Sequence, residues 1–326
     1  MKKNFLAILF ALIGISAYAQ QQPIFTQSMQ NTMLINPAAM GVKQFLDAKV
    51  GYRKQWADIP NSPSSFYATL QTPLGYNYSK AHLSTGGFFM TDMAGNIRQT
   101  TVQVVGAYHL LISNQKQKSM LLSFGLAPGM TNYSIDQSNV VVQNNNDPIA
   151  NAAFSRTKFA LDFGVRLSGR RGSSEVYFVG LSANLPRNYE SQFNGQMNRI
   201  ASNITLSGGI ALAVPNLRNV AFVPSFILRR NTFGTQIDLN GTLKVANKFW
   251  AGVNYRHNQA IGFLLGGFFT ENLNATISYE MPNGNQIGKL ATRALGTSIY
   301  EISIGFRRPN GKGSRWSIND LPNVDN

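Results

Sequence analysis

Three histidines, His82, His109 and His257, are the side chains best suited to exchange protons near neutrality, and the chain has no cysteine. The histidines lie on different predicted strands or strand ends, and no H-E-x-x-H spacing joins any two of them. Neither a metal site nor a metal-activated water is expected, and no cofactor. Without cysteine there is no thiolate nucleophile, no disulfide scaffold and no lipidated N-terminal Cys. Gly284-Asn285-Gln286-Ile287-Gly288-Lys289 is one residue short of a phosphate-binding loop and lacks its Ser or Thr. A phospholipase would need serine and histidine side by side on a lipid-facing wall. His109 could face lipid or interior, and the sequence places no serine beside it. No catalytic residue is assigned, and the chain is read as a non-enzyme.

The charges are better ordered. Asp47, Lys49, Arg53, Lys158, Asp162, Arg166, Asp238, Lys244, Arg256, Glu280, Glu301 and Arg307 each fall in a segment where apolar and polar residues alternate. Successive strand side chains point to opposite faces, so each of these charges shares a face with polar residues and opposes an apolar face. In Gly234–Arg256, Leu239, Leu243, Val253 and Tyr255 oppose Asp238, Asn240, Lys244, Asn254 and Arg256. Each arm is about the length of a tilted transmembrane strand. Lipid could not hold those charges but a wet lumen could, and Arg at Asn240 or Asn254 is expected to be far cheaper than Arg at Leu239 or Val253.

Fourteen such segments are predicted, with boundaries near 44–56, 64–73, 81–91, 98–112, 119–131, 157–168, 174–184, 202–214, 219–230, 234–245, 249–256, 259–269, 272–281 and 297–308. The long connections, 132–156, 185–201 and 282–296, all fall between odd and even strands. The even-to-odd turns are short, including Gly169–Gly172. Long outer loops, short periplasmic turns and an even count are the rule for outer-membrane barrels. Tyr52, Tyr67, Tyr108, Tyr177, Tyr255, Tyr279 and Tyr300 suit aromatic girdles. The competing architecture is a soluble sandwich or propeller; no repeat of the propeller's period is visible.

Met1-Lys2-Lys3, the apolar run Phe5–Ile15 and Ala17-Tyr18-Ala19 read as a cleaved signal peptide, 1–19. Residues 20–43 form an N-terminal segment, 44–308 the barrel and 309–326 a periplasmic tail. The formal charge of +15 could suggest nucleic acid, which export argues against. Lipopolysaccharide phosphate or another anionic partner fits better, and dispersed lumenal charge explains most of it. Phe25, Gln27, Asn36 and Pro37 lie in a segment rich in apolar groups that strand pairing does not use. Burial in the barrel mouth as a plug, or as a small satellite core, spares them water.

Several short motifs resemble the PorP/SprF family of type IX secretion system membrane proteins. Gln22-Pro23-Ile24-Phe25-Thr26-Gln27 is similar to its Q-x-P-x-F-T-Q opening, with one residue fewer between Gln and Pro. Asn36-Pro37-Ala38 with Gly41 resembles its N-P-A-x-x-G element. Tyr52-Arg53-Lys54-Gln55-Trp56, Asp92 with Gly95, Tyr255-Arg256 and Tyr279-Glu280 resemble further elements. Ser298-Ile299-Tyr300-Glu301 resembles S-H-E with Tyr300 in place of His, so only the acid at Glu301 carries over. The resemblance implies a fold similar to fatty-acid-transporter barrels and a place in type IX secretion, gliding motility and surface display of adhesins. It implies as partners other secretion components and a secreted client with a C-terminal sorting domain. The alternative function is a passive transporter of small or hydrophobic solutes.

Overall fold

The computed structural model describes residues 23–43, 45–57, 59–74, 81–115, 118–135, 154–171, 174–185, 187–190, 197–200, 202–217, 219–231, 234–246, 248–282 and 298–309. The signal peptide 1–19, Gly284–Lys289 and the tail from 310 lie outside them, as do most of the loops 132–156, 185–201 and 282–296.

Alternating sequence becomes strand throughout. The strands are β1 (Phe45–Lys54), β2 (Ser64–Leu74), β3 (His82–Ala94), β4 (Ile97–Gln115), β5 (Lys118–Ile135), β6 (Phe154–Arg171) and β7 (Ser174–Asn184). A small separate hairpin follows, β8 (Arg187–Glu190) with β9 (Met197–Ile200), where the sequence shows only loop. Then come β10 (Ile204–Ile210), β11 (Leu212–Ala213), β12 (Val220–Asn231), β13 (Gly234–Val245), β14 (Phe249–Arg256), β15 (Ala260–Phe268), β16 (Leu273–Pro282) and β17 (Ile299–Pro309).

β10 and β11 are one stave interrupted at Ala211, whose N–H donates to Val176 O at 2.6 Å. Counting them once, fourteen antiparallel staves run in sequence order, and β17 returns to pair with β1 from Phe45↔Pro309 to Lys54↔Tyr300. Closure leaves no edge whose N–H and C=O groups would be unpaired in lipid. We call the end where β1 begins and β17 finishes the terminal end. The opposite one, carrying the three long connections, is the loop end.

The outward positions hold exposed large apolar residues all round, such as Val104 at 63%, Leu265 at 59% and Ile277 at 54%. Such a band would be an aggregation surface in water and is satisfied by hydrocarbon. The inward positions are buried and mostly polar, with apolar exceptions such as Val105, Leu121 and Ile227. They are not a wet lumen: Asn254 Nδ2 donates to Asn240 Oδ1 at 2.6 Å, and both residues are buried. Arg at either position would break that bond inside packed structure, so the expectation of a cheap inward substitution does not hold there.

Three further readings change. Tyr67 is no girdle residue: it points inward at 1% exposure, over the space a side chain on Gly51 would fill. β5 and β6 run past their predicted ends, and Gly169–Arg171 belong to β6, with Arg170 buried. The pairing of β6 with β7 slips between Gly169↔Tyr177 and Arg170↔Glu175. The extra residue turns Glu175 inward, where strict alternation would set it facing lipid.

Leu239→Arg and Val253→Arg should each cost about 2–4 kcal/mol if they lie at the bilayer midplane, against under about 1 kcal/mol for Thr235→Arg at the rim. Urea titration of folding into lipid vesicles measures this, and equal costs would overturn the assigned faces.

Candidate functional site

The interior is occupied by the chain's own beginning. Pro23–Lys43 runs through it as three short 3-10 turns, Ser28–Gln30, Thr32–Leu34 and Pro37–Ala39. Its contacts follow the sequence motifs closely. Phe25 packs edge-on against Tyr67, ring centroids 4.9 Å apart. Thr26 N–H donates to Glu301 Oε2 at 2.7 Å. Gln27 Nε2 donates to Glu301 O at 3.0 Å and to Thr276 O at 3.2 Å, while its Oε1 accepts from Ser303 Oγ at 2.5 Å. One side chain thereby bridges β16 and β17.

Further along, Asn31 Nδ2 donates to Thr69 Oγ1 at 3.2 Å and Gln30 O accepts from Lys49 Nζ at 2.7 Å. Asn36 caps the third turn, its Oδ1 accepting from Ala38 N–H at 2.9 Å. Its Nδ2 reaches Val165 O and Leu181 O on the far wall. Pro37 and Ala38 lie flat on Gly125 and Gly164: a Cβ on Gly164 would come 2.0 Å from Asn36 Oδ1, and one on Gly125 2.2 Å from Ala38 N. Gly41 takes φ +69° with its α-carbon against Ser84, so only glycine fits there.

Around this segment the predicted inward charges divide by depth. Near the loop end Arg53 Nη2 lies 2.8 Å from Glu280 Oε2, and Arg256 pairs with Glu280 at 3.0 Å and with Asp238 at 3.3 Å. Arg229 also pairs with Asp238. Arg53 stands opposite Glu301 in register, yet its ion pair goes across to Glu280, and Glu301 accepts from the segment's backbone. Near the terminal end Arg307 pairs with Asp47 at 2.6 Å. Arg166 pairs with Glu175 at 2.7 Å and stacks on Phe178, 3.8 Å from its ring centre. Lys244 points inward and is half-buried, and Asp162 lines a cavity near the loop end. Lys158 is exposed on the overhanging start of β6.

Sequence reasoning missed Glu175, Arg229, Arg170 and Lys43. Arg229 shares its alternation with inward Ile227 and was legible as such. Glu175 was not, because of the bulge.

That cavity has a volume of about 330 Å³. Pro23–Phe25, Gln27, Ser28, Asn31, Leu34 and Ile35 of the segment line it; Gln103, Asn203, Thr205, Gln236 and Gln259, with Tyr67, Phe88 and Met90, contribute to its walls. The amides and hydroxyls offer both donors and acceptors, so the recess suits a polar, hydrogen-bonding occupant.

His109 faces inward, stacked on its cross-strand partner His82 with ring centroids 4.5 Å apart. Ser123 Oγ lies 2.7 Å from Nδ1 and Ser84 Oγ 3.1 Å from Nε2. Serines do flank this histidine, but on the inner wall beneath Gly41, at 0% exposure. That location contradicts a lipid-facing phospholipase site. His257 is exposed outside, edge-on to Tyr255.

The sequence matches the model of the family described as type IX secretion system membrane protein PorP/SprF over residues 17–306. The chain belongs to this family. It is a component of type IX secretion, in the outer membrane. No curated protein matches it. Among solved structures it is similar to a Pseudomonas aeruginosa FadL homologue, at 11% identity and TM-score 0.45, over 83% of this chain and 92% of that one. The Neisseria meningitidis NalP translocator domain gives 9% and 0.45, over 87% and 94%. The Pseudomonas putida toluene transporter TodX gives 10% and 0.42, over 86% and 94%. These are remote likenesses to other barrels and carry nothing about cargo. In this PorP/SprF chain the residues of the short motifs that resemble the family's, Phe25, Gln27, Asn36, Pro37, Gly41 and Glu301, are among those that seat the N-terminal segment.

Gln27→Ala should cost about 1–3 kcal/mol by stranding buried partners. Glu280→Gln should cost about 3–5 kcal/mol by leaving Arg53 and Arg256 without their shared carboxylate. Urea titration reads both. Hydrogen exchange of the amides of residues 26–31 separates them: Gln27→Ala speeds it before the barrel opens, and exchange no faster than wild type would contradict the anchoring described.

Proposed function

We propose that this barrel does not conduct. It docks a secreted protein at its loop end and passes the load to other components of the secretion machine at its terminal end. The observation that carries this reading is the filled interior. The N-terminal segment is tied to both sides of the wall, and the recess above it is closed below. A protein part that holds a client needs a rigid, sealed frame with an outward pocket; a solute channel needs the opposite. The segment acts as a plug, and the long connections at the loop end are the client-holding loops. The client is an adhesin with a C-terminal sorting domain, and its anchoring serves gliding motility. These last steps rest on the family. The loop end faces outside, following the distribution of long and short connections, and lipopolysaccharide phosphates meet the exposed Arg98 and Arg230 near that rim.

Deleting Gln22–Gln30 should leave a folded barrel with raised conductance in planar bilayers. Shortening 185–201 or 283–297 should leave conductance alone and reduce surface retention of the secreted client. Unchanged conductance removes the plug; normal client display after both shortenings removes the docking role. Labels after Asn145 and Asn194 should react on intact cells. A label at Gly172-Ser173 should react only after the outer membrane is breached, and its surface labelling would reverse the orientation.

A further inference from the structure

The two ends of the interior are charged differently. Near the loop end Arg53, Arg229 and Arg256 are matched by Glu280, Asp238 and Glu301, with Asp92 and Asp162 in addition. Near the terminal end, among the described residues, the inward cations Lys43, Lys49, Arg166, Arg170, Lys244 and Arg307 outnumber the acids, Asp47 and Glu175 on the inner wall and exposed Glu271 on a turn, with Glu301 acting on Lys49 from deeper in. Arg307 and Arg166 use the carboxylates of Asp47 and Glu175. Lys49 and Arg170 donate to the backbone carbonyls of Gln30 and Val42. Lys43 and Lys244 remain. Among the described residues neither ammonium has a hydrogen-bond or ion-pair partner, and both residues keep part of their surface exposed.

Lys244, inward near the terminal end of β13, lies within electrostatic reach of Lys43, Arg307 and Glu175. Lys43, which precedes β1, is held below the ordinary lysine range, first by loss of water and then by Arg307. Like charges gathered in a partly dry mouth repel one another, and the arrangement is costly unless an anion joins it.

The position of these groups selects the anion. Lys244 points to the interior, while its neighbours Leu243 and Val245 point to lipid. Lipid headgroups stand against the outer surface of the wall, so they do not reach it. The remaining free volume among Lys43, Asp47, Glu175 and Arg307 is about 20 Å³, room for a single water and not for a folded domain. A ligand must meet the mouth from outside with carboxylates that project from a flexible chain.

We propose that the terminal mouth of the barrel, centred on Lys43, Lys244 and Arg307, is a docking site for an acidic, extended peptide segment of a partner protein. The site lies at the opposite end from the client recess. It rests on the reading above only for the side of the membrane it faces. Carboxylates of the segment pair with Lys43 and Lys244 and share Arg307 with Asp47, completing the charge balance that the wall leaves open.

The test uses the purified full-length barrel in zwitterionic detergent and a fluorescein-labelled peptide of alternating Glu and Ser, read by fluorescence anisotropy. Saturable binding is expected. It should weaken as salt rises from about 0.1 M to about 1 M, where the screening length falls from about 10 Å to about 3 Å. The pair Lys43→Gln with Lys244→Gln should weaken it at least about tenfold, equivalent to about 1.4 kcal/mol. The pair Lys43→Arg with Lys244→Arg should retain it, and Lys158→Gln at the loop end should leave it unchanged. Unaltered heat-dependent gel mobility shows that each variant is folded. Three results overturn the proposal: no binding of the acidic peptide, equal binding of a Lys-Ser peptide, or binding indifferent to the two lysine changes. Displacement of the peptide from the wild-type barrel by nanodiscs rich in anionic lipid, but not by neutral ones, reassigns the site to a headgroup and likewise overturns it. None of these readouts involves client display, so the docking reading at the loop end stands or falls separately.

Discussion

A closed sheet of fourteen staves encloses more space than its own inward side chains fill, and the rest of this structure depends on how that space is used. The strands spend most of their large apolar residues on the lipid face, and from the wall only a small apolar cluster, Val105, Ala107 and Ala127 with Phe88, packs on Met33 and Met40 of the segment. The filling is a separate piece of chain, Pro23–Lys43, whose backbone carries N–H and C=O groups that must find partners in a dry place. Its short turns satisfy some of them internally. The others, with the polar side chains, are met by the wall: Glu301 for Thr26 N–H, Ser182 Oγ for Ile35 O, Lys49 for Gln30 O. The inward face is therefore polar because it is the partner of a buried irregular chain, not because it is wet.

This constraint explains the unusual allocation of charge. Glu301 sits opposite Arg53 on neighbouring strands, the simplest ion pair the register offers. The carboxylate is aimed at the segment, where Oε2 accepts from two buried backbone N–H groups whose loss would cost about 1–3 kcal/mol each. Arg53 instead reaches over β17 to Glu280, which also serves Arg256. The chain of pairs from Arg53 to Arg229 spans the strands from β1 back to β12 and braces one side of the wall from within.

The sequence displayed the fold well because one period governs nearly everything. A repeat of two with an apolar and a polar phase places every stave and gives each predicted inward charge its face. It fails where the backbone departs from the period. The bulge beside Gly169 and Arg170 turns Glu175 inward, and no residue type nearby announces it. Tyr67 lies on the inward phase of β2, beside Phe66 and Leu70, and its alternation was readable; residue type was weighed above phase. The interior contacts were less legible. Phe25, Gln27, Asn36 and Pro37 drew attention as motif residues, but their partners on the wall are 42 to 276 positions away. No local pattern encodes that Gly125 and Gly164 form the flat ground for Pro37 and Ala38.

The path of the segment also constrains how the barrel can be built. Pro23 borders the cavity near the loop end and Lys43 the small one at the terminal end, so the segment runs the length of the interior before the chain turns into β1. Its strongest anchors include both sides of the closing seam: Lys49 on β1, and Glu301 with Ser303 on β17. Threading it in after β1 and β17 had paired would drag Phe25, Thr26 and Gln27 past the narrow, cation-lined terminal mouth, away from every group that binds them. Entry before closure has no such barrier, because β17 is then free to bring Glu301 to the backbone of Thr26 and Gln27 as it zips onto β1. Gln27 bridging β16 and β17 then does two things at once. It fixes the depth of the segment, and it holds the last two strands at the register in which Arg53 finds Glu280. The segment that fills the barrel and the seam that closes it thus depend on the same side chains.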